Sequence, residues 1–282
     1  MQWAKTKTIL IILFVLVNVY LFINYLGSSP GGTVVSDEVI DNTIAILTER
    51  GIAIDRALIP MREDSVRLFD VANKYATKDQ IGNKLLGVGF FTEPDQKQLY
   101  NGSSKIFING SDFEYAKQDG ATSPVTDKTK KNAKKTAQDF LKANDFWSKY
   151  AEFSDSEVRE NEIVCRFVLK YDKKIVTDSA AAVYVDNNGV YKFESKNWLG
   201  DTITDGKHMD PEASAMILIK FANLMEEKGI TNISVTGLER VYYLGPRDGE
   251  NKTITAIPAL KIIIDTGASY IFDARNGDHI EK

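Results

Sequence analysis

The chain has one cysteine, Cys165, and two histidines, His208 and His279, in 282 residues. One thiol makes no intramolecular disulfide, so the fold must hold by packing alone. Within Ile163-Val164-Cys165-Arg166-Phe167 the cysteine reads as a buried strand residue rather than a reactive thiol. Neither histidine stands in the His, Cys or carboxylate spacing typical of zinc, and both fall beside turns. No Gly-x-Ser-x-Gly elbow, Walker loop or dinucleotide fingerprint occurs, and Gly87-Val88-Gly89 alone is a weak signal. The expectation is a protein that is not an enzyme, with no catalytic, cofactor-binding or metal-binding residues. Carboxylates are plentiful, and a glycosidase needs only a converging pair, so a cell-wall hydrolase stays as a third reading.

An excess of one charge is also missing. Lys and Arg total 35 against 39 Asp and Glu, a net charge of −4, which leaves no electrostatic footprint for nucleic acid. The local cluster Lys128, Lys130, Lys131, Lys134, Lys135 reads first as the solvated face of a helix. Contact with an anionic wall polymer or lipid is its alternative. Apolar residues make up 43% and aromatics 10%, which indicates a folded core rather than disorder.

Long apolar runs are absent except for one. Ile9 to Leu26 holds fourteen Leu, Ile, Val or Phe residues in eighteen positions. Thr8 to Leu26 as a helix covers roughly 30 Å, about one hydrocarbon thickness. Lys5 and Lys7 precede the run, and no Lys or Arg follows it until Arg50. Basic residues stay cytoplasmic, so the N-terminus is expected inside and everything past Leu26 outside the cell membrane. The competing reading is a cleaved signal peptide. Its apolar region is usually ~7–15 residues and ends in a small-x-small site. Here the run is longer and ends in Asn24-Tyr25-Leu26-Gly27, which favours an uncleaved, single-pass anchor. The lone cysteine lies too far downstream for a lipoprotein.

Residues 1–7 are then a cytoplasmic tail, 8–26 the transmembrane helix, and 27–36 a tether opening with Gly-Ser-Ser-Pro-Gly-Gly. A membrane-proximal α+β region is expected over 37–123. Within it, Asp37 to Arg50 has Ile40, Ile44 and Leu47 on one helical face and Gly51 as its stop. A more polar helix is expected from about Asp64 to Lys78, and strands over Leu85–Phe91 and Lys105–Tyr115. Turns are placed at Asn101-Gly102 and Asn109-Gly110. Two similar modules follow, 124–205 and 206–282, each a helix and then an antiparallel sheet. The first opens with Asp127 as a cap and continues into strands 163–171, 180–186 and 190–195, the last two joined by Asn187-Asn188-Gly189. The second opens with Asp210-Pro211, followed by Ile217, Phe221, Leu224 and Met225 on one face, and Lys228-Gly229 as its end. Its strands are expected at 233–238, 240–244, 259–265 and 270–274. The fold class is α+β: antiparallel sheets outside the cytoplasm, with helices packed on one face. The element order resembles small PepSY-like modules, a kind that binds or inhibits partners more often than it catalyses.

Met1-Gln2-Trp3-Ala4-Lys5-Thr6-Lys7-Thr8, running directly into the apolar span, resembles the start of the YycI (WalI) family. Pro258-Ala259-Leu260-Lys261, Ser269-Tyr270-Ile271-Phe272-Asp273-Ala274 and Asn276-Gly277 resemble that family's closing strands; Leu260 stands where Trp is frequent. The resemblance implies a regulator that acts with YycH (WalH) on the sensor histidine kinase WalK (YycG), partner of the response regulator WalR. That two-component system governs cell-wall metabolism in low-GC Gram-positive bacteria. Contact with the kinase would run through transmembrane helices, and the outer domains of YycI and YycH would associate.

The residues themselves nominate three surfaces. Ile11, Phe14, Val15, Asn18, Leu21, Phe22 and Tyr25 share one helical face of the span. An amide at mid-membrane depth tends to bond a neighbouring helix, though bonding its own backbone is the plain alternative. Trp3, Lys5 and Lys7 read as interfacial anchors. Tyr270, Phe272 and Ala274 mark a strand that a partner sheet could extend, if it is an edge. The second functional reading is a ligand-binding or inhibitory module for which the span is only a tether.

Overall fold

The computed structural model describes residues 13–15, 17–19, 32–72, 77–94, 97–110, 112–121, 123–198, 204, 206–245 and 253–281. The chain runs β1 (Gly32–Val34), α1 (Asp37–Glu49), β2 (Ile52–Ile54), a 3-10 turn (Arg56–Leu58), β3 (Arg62–Asp64) and β4 (Val66–Ala72). It continues as α2 (Lys78–Leu85), β5 (Phe91–Thr92), β6 (Gln98–Asn101), β7 (Ser104–Asn109) and β8 (Asp112–Lys117). Then come α3 (Asp127–Ala143), β9 (Ala151–Val158), β10 (Ile163–Tyr171), β11 (Lys174–Asp186), β12 (Gly189–Lys196) and β13 (Lys207–Met209). The last elements are α4 (Ser214–Glu227), β14 (Ile233–Tyr243), β15 (Thr253–Ile264), β16 (Ser269–Asp273) and β17 (His279–Ile280). The fold is mixed α+β, with few helices and one large branched sheet; β1 and β3 form a separate antiparallel pair.

The large sheet has two halves. In the first, the strands lie in the order β5-β6-β7-β8-β12-β11-β10-β9, all antiparallel. Ala133, Ala137 and Leu141 recur at helical spacing on α3, and they meet Cys165, Phe167, Val183 and Phe193 from alternate strand positions. Leu141, Phe167 and Phe193 are fully buried. Each such burial contributes roughly 1.5–3 kcal/mol. The second half carries β13-β4-β15-β14, with β16 beside β15 and β2 parallel to β14. Here α1 and α4 share one core with the sheet, through Ile40 and Leu47 on one helix and Phe221 and Met225 on the other. The halves join where Val176 of β11 pairs in parallel with Tyr242 of β14.

Several expectations hold. Asp37–Glu49 is helical, the hairpins turn at Gly102, Gly110 and Asn187-Asn188, and strands stand at the expected 163–171, 180–186 and 190–195, the middle one beginning earlier, at Lys174. Others need correction. In place of the polar helix expected from about Asp64, Val66–Ala72 is β4, which lies between β13 and β15 with Val66, Phe69 and Val71 buried. Leu85–Phe91 is not a strand. Helix α2 ends there, after opening on a Thr77/Gln80 capping box, and Gly87 and Gly89 follow with φ of 78° and 86°. The cap of α3 is Thr126 rather than Asp127. Helix α4 starts at Ser214, not at Asp210-Pro211.

Region 37–123 is not a unit of its own. The apolar face of α1 is buried only by joining α4, and Ile52 pairs with Ile233, so residues 37–54 complete the C-terminal half. Strands β5 to β8 instead complete the middle one. The expected tether gives way to strand at Gly32, which pairs with Asp64. Among the described residues no helix is long and apolar enough to cross a membrane. The expected span at 8–26 falls mostly outside those residues.

Candidate functional site

Helix α3 covers one face of the first half-sheet, and no other described element covers the opposite face. Because strand side chains alternate, the pairing register decides what lines that open face. One row across the strands reads Phe107, Glu114, Glu194, Ala182, Arg166, Asp155. The next reads Phe91, Tyr100, Lys105, Ala116, Lys192, Tyr184. Their strand neighbours Phe113, Tyr115, Phe193 and Val183 point the other way, into the core. The face therefore has an aromatic end, an alanine floor and a charged middle.

The charged middle is an interlocked group. Lys192 Nζ lies 2.7 Å from Glu194 and 3.3 Å from Glu114. The Tyr184 hydroxyl donates to Glu194 at 2.9 Å. Burial, then the hydrogen bond to Glu194, push the Tyr184 phenol above its ordinary range. For Lys192, burial works downward, but the hydrogen bonds and charges of Glu194 and Glu114 outweigh it and leave the ammonium raised. Farther along, Arg166 binds Asp155 at 2.8 Å and Glu157 at 2.5 Å, and Arg159 binds Glu157 at 2.9 Å. Hydrogen bonds from Arg159 and Arg166 hold the Glu157 carboxyl down at about 2.

Two depressions lie side by side on this face. One, of about 400 Å³, is lined by Phe107, Ala180, Ala182, Glu194 and Lys196, among others. The second, of about 540 Å³, is bordered by Tyr100, Lys105, Ala116 and Lys117. Glu114 borders both. Phe91 and Tyr100 stack at 5.5 Å beside them, and Phe91 is 62% exposed. Such a surface can seat a ligand or polypeptide with apolar contact at one end and carboxylate acceptors in the middle. Among the described residues no group of three or more His, Cys, Asp or Glu could hold a metal ion.

None of these residues was nominated from sequence. The signal that could have found them is the alternation in Asp112-Phe-Glu-Tyr-Ala-Lys117 and Val190-Tyr-Lys-Phe-Glu-Ser195, which puts Glu114, Lys192 and Glu194 on one face.

Of the nominated span residues, Phe14, Val15 and Asn18 are described, and Leu13–Val15 and Val17–Val19 are helical. Asn18 Nδ2 donates to Phe14 O at 2.8 Å, the own-backbone bond. Ile11, Leu21, Phe22, Tyr25, Trp3, Lys5 and Lys7 lie outside the described residues. The strand at Tyr270 to Ala274 is corrected. It lies between β15 and β17, and Phe272 and Ala274 are 1% and 0% exposed. Tyr270 packs on Phe221 of α4 with ring centroids 5.5 Å apart, so this side of the strand faces the core. Strand β9, paired with β10 alone among the described strands, is a true edge.

The chain matches no family model and no curated protein. Among solved structures it is similar to an uncharacterized protein from Eubacterium rectale, at 13% identity and TM-score 0.48, over 86% of this chain and 98% of that one. It is also similar to the C-terminal domain of YpeB from Bacillus megaterium, at 12% identity and TM-score 0.33, over 75% and 96% of the two chains. At these values neither likeness carries an argument.

Proposed function

We propose that the chain is a non-enzymatic, single-pass membrane regulator of a sensor histidine kinase of the WalK (YycG) kind. It acts with a YycH partner, as its resemblance to the YycI family implies. The observation that supports this most is the exposure of the helical residues near the N-terminus. Phe14 is 68% exposed and Val15 52%, and Leu13, Val17 and Val19 are exposed as well. Side chains of this kind on a helix need cover from lipid or from another helix. A kinase transmembrane helix supplies such cover, and a regulator needs only to bind the two signalling states unequally. The two helix-and-sheet halves serve as PepSY-like modules outside the cytoplasm.

A second reading is favoured by the uncovered face around Glu114 and Glu194: a ligand-binding or inhibitory module for which the span is only a tether. Replacing residues 8–26 by an unrelated span separates the two. The regulator reading expects kinase output to change while protein level and outer-domain folding stay the same. Unchanged output gives the function to the outer face.

A further inference from the structure

We propose that the outward ridge of α3 is a docking surface for a linear polyanion of the phosphodiester type. The helix buries Ala133, Ala137 and Leu141. At ~100° per residue, Lys128, Lys131, Lys135 and Lys142 fall within a stripe about 60° wide on the opposite side. All four are exposed. The ridge is about 21 Å long at ~1.5 Å per residue.

Lys128, Lys131 and Lys135 form no ion pair among the described residues, whereas Lys130 is held by Asp127 at 3.5 Å. Lys134, off the stripe, sits over the Phe153 ring at 4.3 Å, and Lys142, within it, lies 5.3 Å from the Trp147 ring. Asp139, the only acidic residue of α3 beyond its first position, lies about 20° outside the stripe and forms no ion pair among the described residues.

Folding does not ask for this arrangement. Lys128–Lys131 and Lys131–Lys135 are like-charge pairs at i,i+3 and i,i+4, and both work against the helix. Cations in the first turns also oppose the helix dipole. They accumulate on a chain whose net charge is −4. The helix terminus itself is not the site, because Thr126 already accepts from the Thr129 N–H. A single polymer strand fits better than a membrane surface. The ridge is one lysine wide, and no large hydrophobic side chain on α3 is exposed to enter a bilayer. Binding of this kind gains most of its strength from counterion release and weakens steeply with salt.

The test uses the full chain in a nonionic detergent, with short-chain inorganic polyphosphate as probe. Four lysine contacts give a slope of log affinity against log salt of about −3, at ~0.7 per contact. The variant Lys128→Glu/Lys131→Glu/Lys135→Glu should bind at least ~10-fold more weakly, with a slope near −1, for one remaining contact. Its far-UV circular dichroism and melting temperature should stay near the parent's, since the like-charge pairs 128/131 and 131/135 keep their number with reversed sign and Lys128→Glu suits the first turn. The control Lys78→Glu/Lys173→Glu/Lys207→Glu changes exposed lysines elsewhere by the same charge and should keep binding within about twofold. Absence of binding by the parent chain, or equal loss in the control, overturns the proposal. So does capture by phosphatidylglycerol vesicles with polyphosphate left free. None of these outcomes touches the kinase reading, which needs no polyanion.

Discussion

Glu63 and Arg240, 177 residues apart, meet inside the molecule at 2.7 Å. The Glu63 carboxylate also accepts from the Ser214 N–H at 2.8 Å, so it caps α4, whose own N-cap, Ala213, has no side-chain oxygen. Arg240 in turn donates to Glu212 O at 3.1 Å and Ser214 Oγ at 3.2 Å. One carboxylate therefore ties β3, β14 and the start of α4 together.

Removing one partner of a buried pair leaves the other charge uncompensated. Glu63→Ala should lower unfolding stability by about 3 kcal/mol, read from urea midpoints at an unchanged slope. A loss under about 1 kcal/mol would mean that water replaces the carboxylate, and the cap is dispensable.

Asp178 stands near the junction of the two halves, buried, accepting from Leu244 N at 3.0 Å and Asn197 Nδ2 at 3.0 Å. Burial pushes its carboxyl above the ordinary range, against these hydrogen bonds. A folded pKa above the unfolded one gives a contribution that is full below the ordinary carboxylate pKa. That contribution is lost as pH rises through the raised value. Asp178→Asn has no such loss, and its amide can serve Asn197 Oδ1, which is buried without a partner among the described residues. Denaturation at a series of pH values should show the parent losing ground to the variant as pH rises. A constant difference across that window contradicts the assignment.

Cys165 is fully buried, and burial, then the Asp155 charge, push its thiol up to about 11. At pH 8 only about 0.1% of such a thiol is ionised, against roughly a quarter for an ordinary one. Labelling by a thiol reagent should therefore follow global unfolding, and its rate should rise in urea with the unfolded fraction. Rapid labelling in native buffer would contradict the burial.

These residues show what a sequence can and cannot disclose. Helix α1 and the turns at Gly102 and Gly110 are legible because their causes are local: a cap, a period, a glycine at positive φ. Strand β4 is not, because its partners β13 and β15 lie more than a hundred residues away, and its charged positions Arg67 and Asp70 imitate a polar helix. Helix α2 also has a local cause, its Thr77-x-x-Gln80 box, which the expectation of a polar helix ending at Lys78 passed over. The open face hides for the β4 reason. Phe107, Glu114 and Glu194 come into one row only through the register of three strands. Tyr270 to Ala274 has the composition of an edge as much as of a centre, and β17 settles the matter.

In the proposed span, Asn18 has one amide hydrogen bond to its own helix. An intramembrane contact through its remaining polar atoms is worth about 0.6 kcal/mol on average, enough to bias a partner rather than hold it. Asn18→Leu should shift kinase output by roughly threefold or less, with protein level unchanged. Output identical to the parent removes Asn18 from the contact.

The most direct measurement is a membrane co-purification of the full chain beside one whose residues 8–26 are replaced by an unrelated span, with recovered proteins identified. The account predicts a sensor histidine kinase recovered with the native span and lost with the substitute. Equal recovery from both, or a kinase in neither, contradicts it.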